Sequence, residues 1–320
     1  MVNPASFDVI CVSGNPSLDR RLRIPSFDRG AVNRATSVES FPGGKAAHVA
    51  MASSALGLRP MWVGMLGGAI GEECASGLRA LGIGVTSHLA SSSSRLNLEI
   101  IEDSGAITEV LEPGSSPSGD EQNALLQLCE SKFKNEWNAA IVAISGSLPR
   151  GSASDFYAKL ITRAHAAGLK TFLDTSGEWL LAGLEAKPDF VKINAAEGQI
   201  IKTAVHPDVA WALTVARELM HRGAASAAVT LGAEGMVWCS ANGAAWSARP
   251  PKLRCVSAVG SGDCTLAGFV YAACKNVTAK DAISFAAACG AANCQAKLTA
   301  RISVHDVKGL LERVSIESLS

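Results

Sequence analysis

Short apolar runs of strand length alternate with longer stretches of helical period along most of this chain. Residues 7–13 alternate and then run apolar, ending at Gly14-Asn15-Pro16-Ser17-Leu18-Asp19, as a first core strand would. Residues 61–66, 71–81 and 84–89 read as strand, helix and strand. From Asp120 onward the alternation becomes regular, with helix 121–133, strand 139–144, helix 153–167, strand 170–173, strand 190–193, helix 209–221 and strand 226–230. These strands stop at small polar clusters: Ser145-Gly146-Ser147, Asp174-Thr175-Ser176-Gly177, Asn194 and Leu231-Gly232-Ala233. Repeated β-α units of this length predict an α/β protein with a mostly parallel sheet, helices on both faces and the polar strand ends gathered on one rim. Residues 236–239 and 244–248 predict a hairpin near that rim, and 303–314 a closing amphipathic helix.

A second pattern interrupts the first. From Arg21 to Phe41 the alternation is short and punctuated by Pro25 and Gly30, and it returns at 95–101 and 107–111. Two non-contiguous pieces, about 20–42 and 90–112, are expected to pair into one small sheet outside the main one, a lid that excludes water from a site on the rim. With no internal repeat and no long linker, residues 1–320 read as a single domain carrying that discontinuous lid.

Composition narrows the function. Lysine plus arginine and aspartate plus glutamate balance at 29 each, which argues against a nucleic-acid or anionic-membrane surface and leaves phosphate recognition to a few placed residues. The nine cysteines form no C-x-x-C pair and most lie in apolar runs, so they read as buried free thiols in a reducing compartment, Cys264 among them as a packing residue. No basic segment followed by a long apolar run opens the chain, and the alanine-rich stretch 282–296 is interrupted by Asn293 and Gln295. The expectation is a cytoplasmic protein with one more buried helix there.

The candidate chemistry sits where glycines open helices. Gly260-Ser261-Gly262 precedes Asp263, after which Leu266, Ala267, Val270 and Tyr271 recur at helical spacing. Unpaired amides of a first helical turn, stripped of side chains by glycine, favour an anion. Asp263 is then either a helix N-cap or a base taking the proton of an attacking hydroxyl while the amides hold a phosphoryl group in flight. Gly43-Gly44-Lys45 opens a second such helix, running to about Leu56, without the G-x-x-x-x-G-K-[ST] pattern of a Walker loop. His48, one turn in, is a packed or hydrogen-bonded histidine or a substrate contact. Asp19 is a turn aspartate or a ligand of sugar hydroxyls. Asn194 and Glu197 are a helix cap and a solvated glutamate, or they position a hydrated magnesium.

Taken together and in this order, these segments resemble the ribokinase-like (PfkB) carbohydrate kinases. Gly43-Gly44-Lys45 and Val259-Gly260-Ser261-Gly262-Asp263 are similar to that family's two signatures. Asn15-Pro16-Ser17-Leu18-Asp19, Ser145-Gly146-Ser147-Leu148-Pro149, Leu173-Asp174-Thr175-Ser176-Gly177 and Thr108-Glu109-Val110-Leu111-Glu112-Pro113-Gly114 are similar to its hexose-phosphate branch, which includes tagatose-6-phosphate kinase and 1-phosphofructokinase. The resemblance implies a three-layer α/β/α sandwich with a small β-sheet lid, often used for homodimerisation. It also implies ATP- and magnesium-dependent transfer of the γ-phosphoryl group to a hydroxyl of a hexose phosphate, giving a bisphosphate. By position, Asp263 would be the general base, and Gly260, Ser261 and Gly262 the anion hole. Asp19, Gly44, Lys45, Arg95 and Asn97 would contact the sugar phosphate. Lys192, Asn194 and Glu197 would lie near the triphosphate and, through water, its magnesium; Thr230, Gly232, Gly235 and Asn293 would line the nucleotide pocket.

The chain departs from the family pattern at Ala46 and His48, where the early signature usually continues with glycine and asparagine, and at Ile193, where proline is usual. An imidazole does not reproduce an amide's paired donor and acceptor, so the sugar end is expected to differ. Two further readings share the fold: a kinase of an unphosphorylated sugar or nucleoside, and a non-catalytic sugar-phosphate sensor. A dinucleotide-dependent oxidoreductase would need a glycine fingerprint directly after the first strand, and Asn15-Pro16-Ser17 is not one.

Overall fold

A computed structural model describes residues 7–134 and 141–319. The first strand, β1 (Val9–Ser13), is buried at every position, as a strand covered on both faces must be. Strands β2 (Ser17–Ile24) and β3 (Ser37–Gly43) lead into helix α1 (Lys45–Ala55), followed by β4 (Pro60–Leu66), α2 (Gly68–Ala80) and β5 (Gly84–Leu89). Strands β6 (Arg95–Glu102) and β7 (Ile107–Leu111) precede α3 (Gly119–Phe133), whose start is fixed by a capping box between Ser118 and Glu121. The regular half follows as β8 (Ile141–Ser145), α4 (Phe156–Ala166), β9 (Lys170–Asp174), α5 (Gly177–Glu185), β10 (Phe190–Asn194), α6 (Ala195–Gly198), α7 (Val209–His221) and β11 (Ser226–Thr230). The chain ends with β12 (Met236–Ser240), β13 (Ala245–Arg249), α8 (Ser261–Cys274), α9 (Ala279–Gln295), α10 (Val304–Leu311) and β14 (Ser315–Ser318).

The large sheet runs β14-β13-β12-β11-β10-β9-β8-β1-β4-β5. It is parallel from β11 through β5 and antiparallel from β12 to β14. Alternation along β1 divides the core: Val9 and Cys11 pack with α1, α2, α8, α9 and α10, whereas Ile10 and Val12 pack with α3, α4, α5 and α7. This is the three-layer α/β/α sandwich expected from the sequence. The smaller sheet, ordered β3-β2-β6-β7, draws on both of the non-contiguous pieces.

Several details differ from the sequence reading. The small sheet begins at Ser17, so Asp19 belongs to β2 and faces Asn97 of β6 in register instead of lying in a turn after β1. Helix α5 was not expected, because nine residues directly after a polar strand end give too little period to read. The hairpin β12–β13 extends the large sheet instead of standing at its rim, and β14 closes that edge with four residues of no distinctive pattern. Helix α4 starts at Phe156, three residues later than its period suggests. Residues 139 and 140 of the eighth strand lie outside the described residues. All nine cysteines are free, but Cys255 is exposed, in the loop that leads to α8. Among the described residues no helix is long and apolar enough to cross a membrane.

Candidate active site

Helix α8 opens without a side-chain cap. Its N-cap is Gly260, held at φ 78°, a left-handed conformation that glycine adopts without strain. A side chain there would also meet Thr299 Cγ2 at 2.4 Å. The amides of Gly262 and Asp263 find no acceptor among the described residues. Lys192 stands beside them, since a Cβ on Gly262 would lie 2.8 Å from its Nζ. Two unpaired amides, a helix N-terminus and a buried ammonium make one anion-binding cradle.

Asp263 is the third residue of α8 and makes no cap, so the helix-cap reading of this residue fails. Its Oδ2 instead accepts a hydrogen bond from His48 Nδ1 of α1 at 2.8 Å, with both side chains nearly buried. The other ring nitrogen, Nε2, lies 3.3 Å from Asp19 Oδ2. That is an ion-pair distance, but the geometry gives no hydrogen bond, and Nε2 is buried with no hydrogen-bond partner among the described residues. Asp19 Oδ1 accepts from Ser17 Oγ at 2.8 Å and from Asn97 Nδ2 at 2.9 Å, while Asn97 Oδ1 is also buried and has no partner among the described residues. Gly43 makes room for this carboxylate, because a Cβ there would stand 2.0 Å from Asp19 Oδ1. The substitution Gly43→Ala is therefore expected to displace Asp19 and to lower kcat/KM for the acceptor by roughly tenfold or more, about what one lost charge-assisted hydrogen bond costs. An unchanged kcat/KM in steady-state assays would show that Asp19 does not touch the acceptor.

Burial alone would pull the His48 imidazole down; Asp19 and then Asp263 outweigh it and push it up to about 10. The same pairing holds Asp19 below the usual carboxylate range, against burial, through His48, Ser17 and Asn97. An imidazole raised from about 6.5 to about 10 on folding stabilises in full below pH 6.5, and this contribution is lost as pH rises toward 10. The gap in Tm between the wild type and His48→Phe is thus expected to narrow steadily between those values. A gap constant with pH would mean an uncharged ring.

The lysines form a second cluster. Lys45 Nζ donates to Asp174 Oδ1 at 2.9 Å and Glu197 Oε1 at 2.6 Å, and Lys192 Nζ donates to Asp174 Oδ2 at 2.6 Å. Asp174 is fully buried, and the two lysine charges outweigh that burial to keep it ionised. The structure thus places Lys45 with the Lys192 end of the site, whereas the sequence reading grouped it with Arg95. Asn194 caps α6 through a reciprocal capping box with Glu197, so the cap reading holds for Asn194, and Glu197 is an ion-paired side chain instead of a solvated one.

Arg95 is fixed at the other end, donating to the Asn15 carbonyl from Nε and Nη2 and to the Glu112 carbonyl from Nη1. It lines an open groove with Asn15, Ser92, Ser94 and Ser116. Arg95 and Asn97, two apart on β6, point to the same face of the small sheet. Two residues along β2 from Asp19, Arg21 forms a buried pair with Glu99 at 2.7 Å and donates to the Lys297 carbonyl and to Thr299 Oγ1. Nothing in the local sequence distinguishes this pair from a solvated charge on a lid strand.

At the far end, Thr230 closes β11 with its hydroxyl on the Ile193 carbonyl. Gly232 takes φ 61° in open space, whereas Gly235 is required structurally, since a Cβ there would meet the Ala248 carbonyl at 2.0 Å. Asn293 is buried, and its Nδ2 donates to the Val259 carbonyl and Ser261 Oγ while its Oδ1 accepts from the Ala300 amide. It thereby braces the Gly260 loop from behind.

Known proteins resemble this chain over nearly its whole length. The model of the pfkB family carbohydrate kinases matches residues 10–306. A 1-phosphofructokinase of Borreliella burgdorferi is 28% identical over 305 residues, covering 95% of this chain and 97% of that protein. One from Haemophilus influenzae is 28% identical over 285 residues, covering 88% and 90%. Among solved structures, phosphofructokinase-2 from Escherichia coli in complex with potassium superposes with a TM-score of 0.89 at 26% identity, covering 96% of this chain and 99% of that one. The chain belongs to the PfkB family of carbohydrate kinases, phosphotransferases that act on an alcohol group, and has their ribokinase-like fold.

Proposed function

We propose that this protein transfers the γ-phosphoryl group of ATP to a hydroxyl of a hexose phosphate of the fructose 1-phosphate or tagatose 6-phosphate type, giving a hexose bisphosphate. The observation that carries the reading is the order of groups along one site. Arg95 stands at the open groove, followed by Asn97 and Asp19, and Asp263 lies across one imidazole from Asp19 beside the unpaired amides of α8. A phosphate monoester on Arg95 places a sugar's hydroxyls against Asp19 and the unpartnered Asn97 Oδ1, with one hydroxyl left for Asp263. The relatives named 1-phosphofructokinase support the same substrate class, as does a crystal of the Escherichia coli enzyme in complex with fructose-6-phosphate.

ATP fits the donor end. The free amides of Gly262 and Asp263 together with Lys192 suit the transferring phosphoryl group, and Thr230 and Gly232 lie on the side of the nucleotide. Among the described residues no cluster of three acidic, histidine or cysteine side chains could hold a metal. Both oxygens of Asp174 are taken by lysines. That donor set would suit a magnesium ion carried by the nucleotide, which Asn194 and Glu197 would hold through water and which would supply charge neutralisation on the phosphates. The chain's own part is to align the hydroxyl, hold Asp263 ready for its proton, and exclude water through the small sheet acting as a lid.

Arg95→Ala is expected to raise the KM for the sugar phosphate by roughly 10–100-fold, the cost of a lost charge-assisted pair, and to leave the KM for ATP within about threefold. Equal effects on both substrates would remove Arg95 from the sugar-phosphate end. The reading includes a homodimer through the small sheet, whose outer face exposes Val38 at 57% and Val110 at 51%. A Val110→Asp chain that sediments like the wild type would count against it.

A further inference from the structure

We propose that His48 is a positioning residue for Asp263: held as a doubly protonated ring between two carboxylates, it keeps the Asp263 carboxylate off the amides of its own helix and turned toward the acceptor. The inference rests on the kinase reading above.

An aspartate at the third position of a helix that lacks a cap is drawn back to the unpaired amides of the first turn. In α8 those amides are the ones that would hold the phosphoryl group, so an Asp263 that folded back would both lose the acceptor and fill the anion site. One side-chain contact opposes this, the hydrogen bond from His48 Nδ1 to Oδ2 at 2.8 Å. Asp263 Oδ1 takes no hydrogen bond among the described residues and is left for the acceptor hydroxyl. His48 cannot swing away, because it is 5% exposed on α1 and its Nε2 is held at 3.3 Å from Asp19 Oδ2.

The charges around the ring favour the doubly protonated form. Asp19 approaches from β2 and Asp263 from α8, with Glu109 of β7 the next carboxylate out; Lys45, one turn earlier on α1, is neutralised by Asp174 and Glu197. Two carboxylates against one imidazole favour a proton on each ring nitrogen, Nδ1 donating to Asp263 and Nε2 facing Asp19 at ion-pair distance. Phosphoryl transfer through a loose transition state asks little basicity of the group that receives the hydroxyl proton, so a cation beside Asp263 costs little and its orientation counts for more.

The test has two arms. In full-length protein labelled with 15N-histidine, the His48 signal is identified among the six histidines by its loss in His48→Asn. At pH 8, about 1.5 units above the ordinary imidazole value, both ring nitrogens should show protonated shifts, and one should become neutral in Asp263→Asn. A neutral ring at pH 8 in the wild type overturns the proposal, and this arm needs neither turnover nor a known substrate. In the kinetic arm, His48→Phe keeps the ring volume without a donor and should lower kcat by about 100-fold, the cost of a misplaced reacting group. His48→Asn restores one N–H donor and should recover to within about tenfold of the wild type. Folded Phe and Asn variants with equal kcat overturn the positioning role. Absence of turnover on every hexose phosphate in the wild type would sink the kinase reading and leave the first arm to decide the state of the ring.

Discussion

Asn in place of Asp263 is expected to lower kcat by about two to four orders of magnitude while leaving the fold intact. The amide is isosteric and can still accept from His48 Nδ1 through its oxygen, so the 2.8 Å contact survives. What is lost is a group that can receive the proton of the attacking hydroxyl at neutral pH. The unpaired amides of α8 and Lys192 remain in place and should keep ATP binding close to that of the wild type. Single-turnover experiments separate the two effects: binding should persist and the chemical step should slow. Near-normal turnover in the variant would show that Asp263 is not the base.

The largest expected effect on stability falls at Asp174. It is fully buried, holds Lys45 at 2.9 Å and Lys192 at 2.6 Å, and Lys192 is itself 2% exposed. In Asp174→Ala the Lys192 ammonium is left in the interior without its partner, a loss of about 3–5 kcal/mol by analogy with other broken buried pairs. Burial works to raise the Asp174 carboxyl, but Lys192 and Lys45 outweigh it and hold it low. Its contribution is therefore present above the ordinary carboxylate pKa and lost as pH falls through the lowered folded value. Denaturant unfolding of the two proteins should differ most near neutral pH and converge in strong acid. A difference under about 1 kcal/mol at pH 7 would mean that water or another carboxylate reaches Lys192.

Much of the architecture is legible in the sequence because its periods are long and uninterrupted. The bounds of α7 and β11 read correctly from residues 209–230, where apolar spacing changes from 3.6 to a continuous run and nothing else competes. Where the signal is short, it fails: α5 has nine residues and β14 four, and β14 in addition depends on pairing with β13, far back along the chain. The split small sheet is legible because two alternating segments stand outside the β-α rhythm. Its consequence for Asp19 is not, since only the register with β6 sets that side chain against Asn97.

The site divides in the same way. Glycines before helices mark both N-termini, and Asp263 follows directly from one of them. The partners of those residues are hidden by distance: His48 and Asp263 are 215 residues apart and Lys45 and Asp174 are 129 apart. The family resemblance groups Lys45 with Arg95 at the sugar phosphate, whereas in the fold Lys45 pairs with Asp174 and Glu197 and Arg95 donates to backbone carbonyls. The Arg21–Glu99 pair carries no local mark, because a polar residue buried by tertiary contact looks like a solvated one until the neighbouring elements are known.

The most direct test of the account is a substrate panel. Purified protein with ATP and magnesium is assayed for ATP consumption against fructose 1-phosphate, fructose 6-phosphate, tagatose 6-phosphate, fructose, ribose and adenosine, with Asp263→Asn alongside. Turnover is expected only on phosphorylated hexoses, with a hexose bisphosphate as product, and is expected to be lost in the variant. Turnover only on fructose, ribose or adenosine, or none on any of the six, would contradict it.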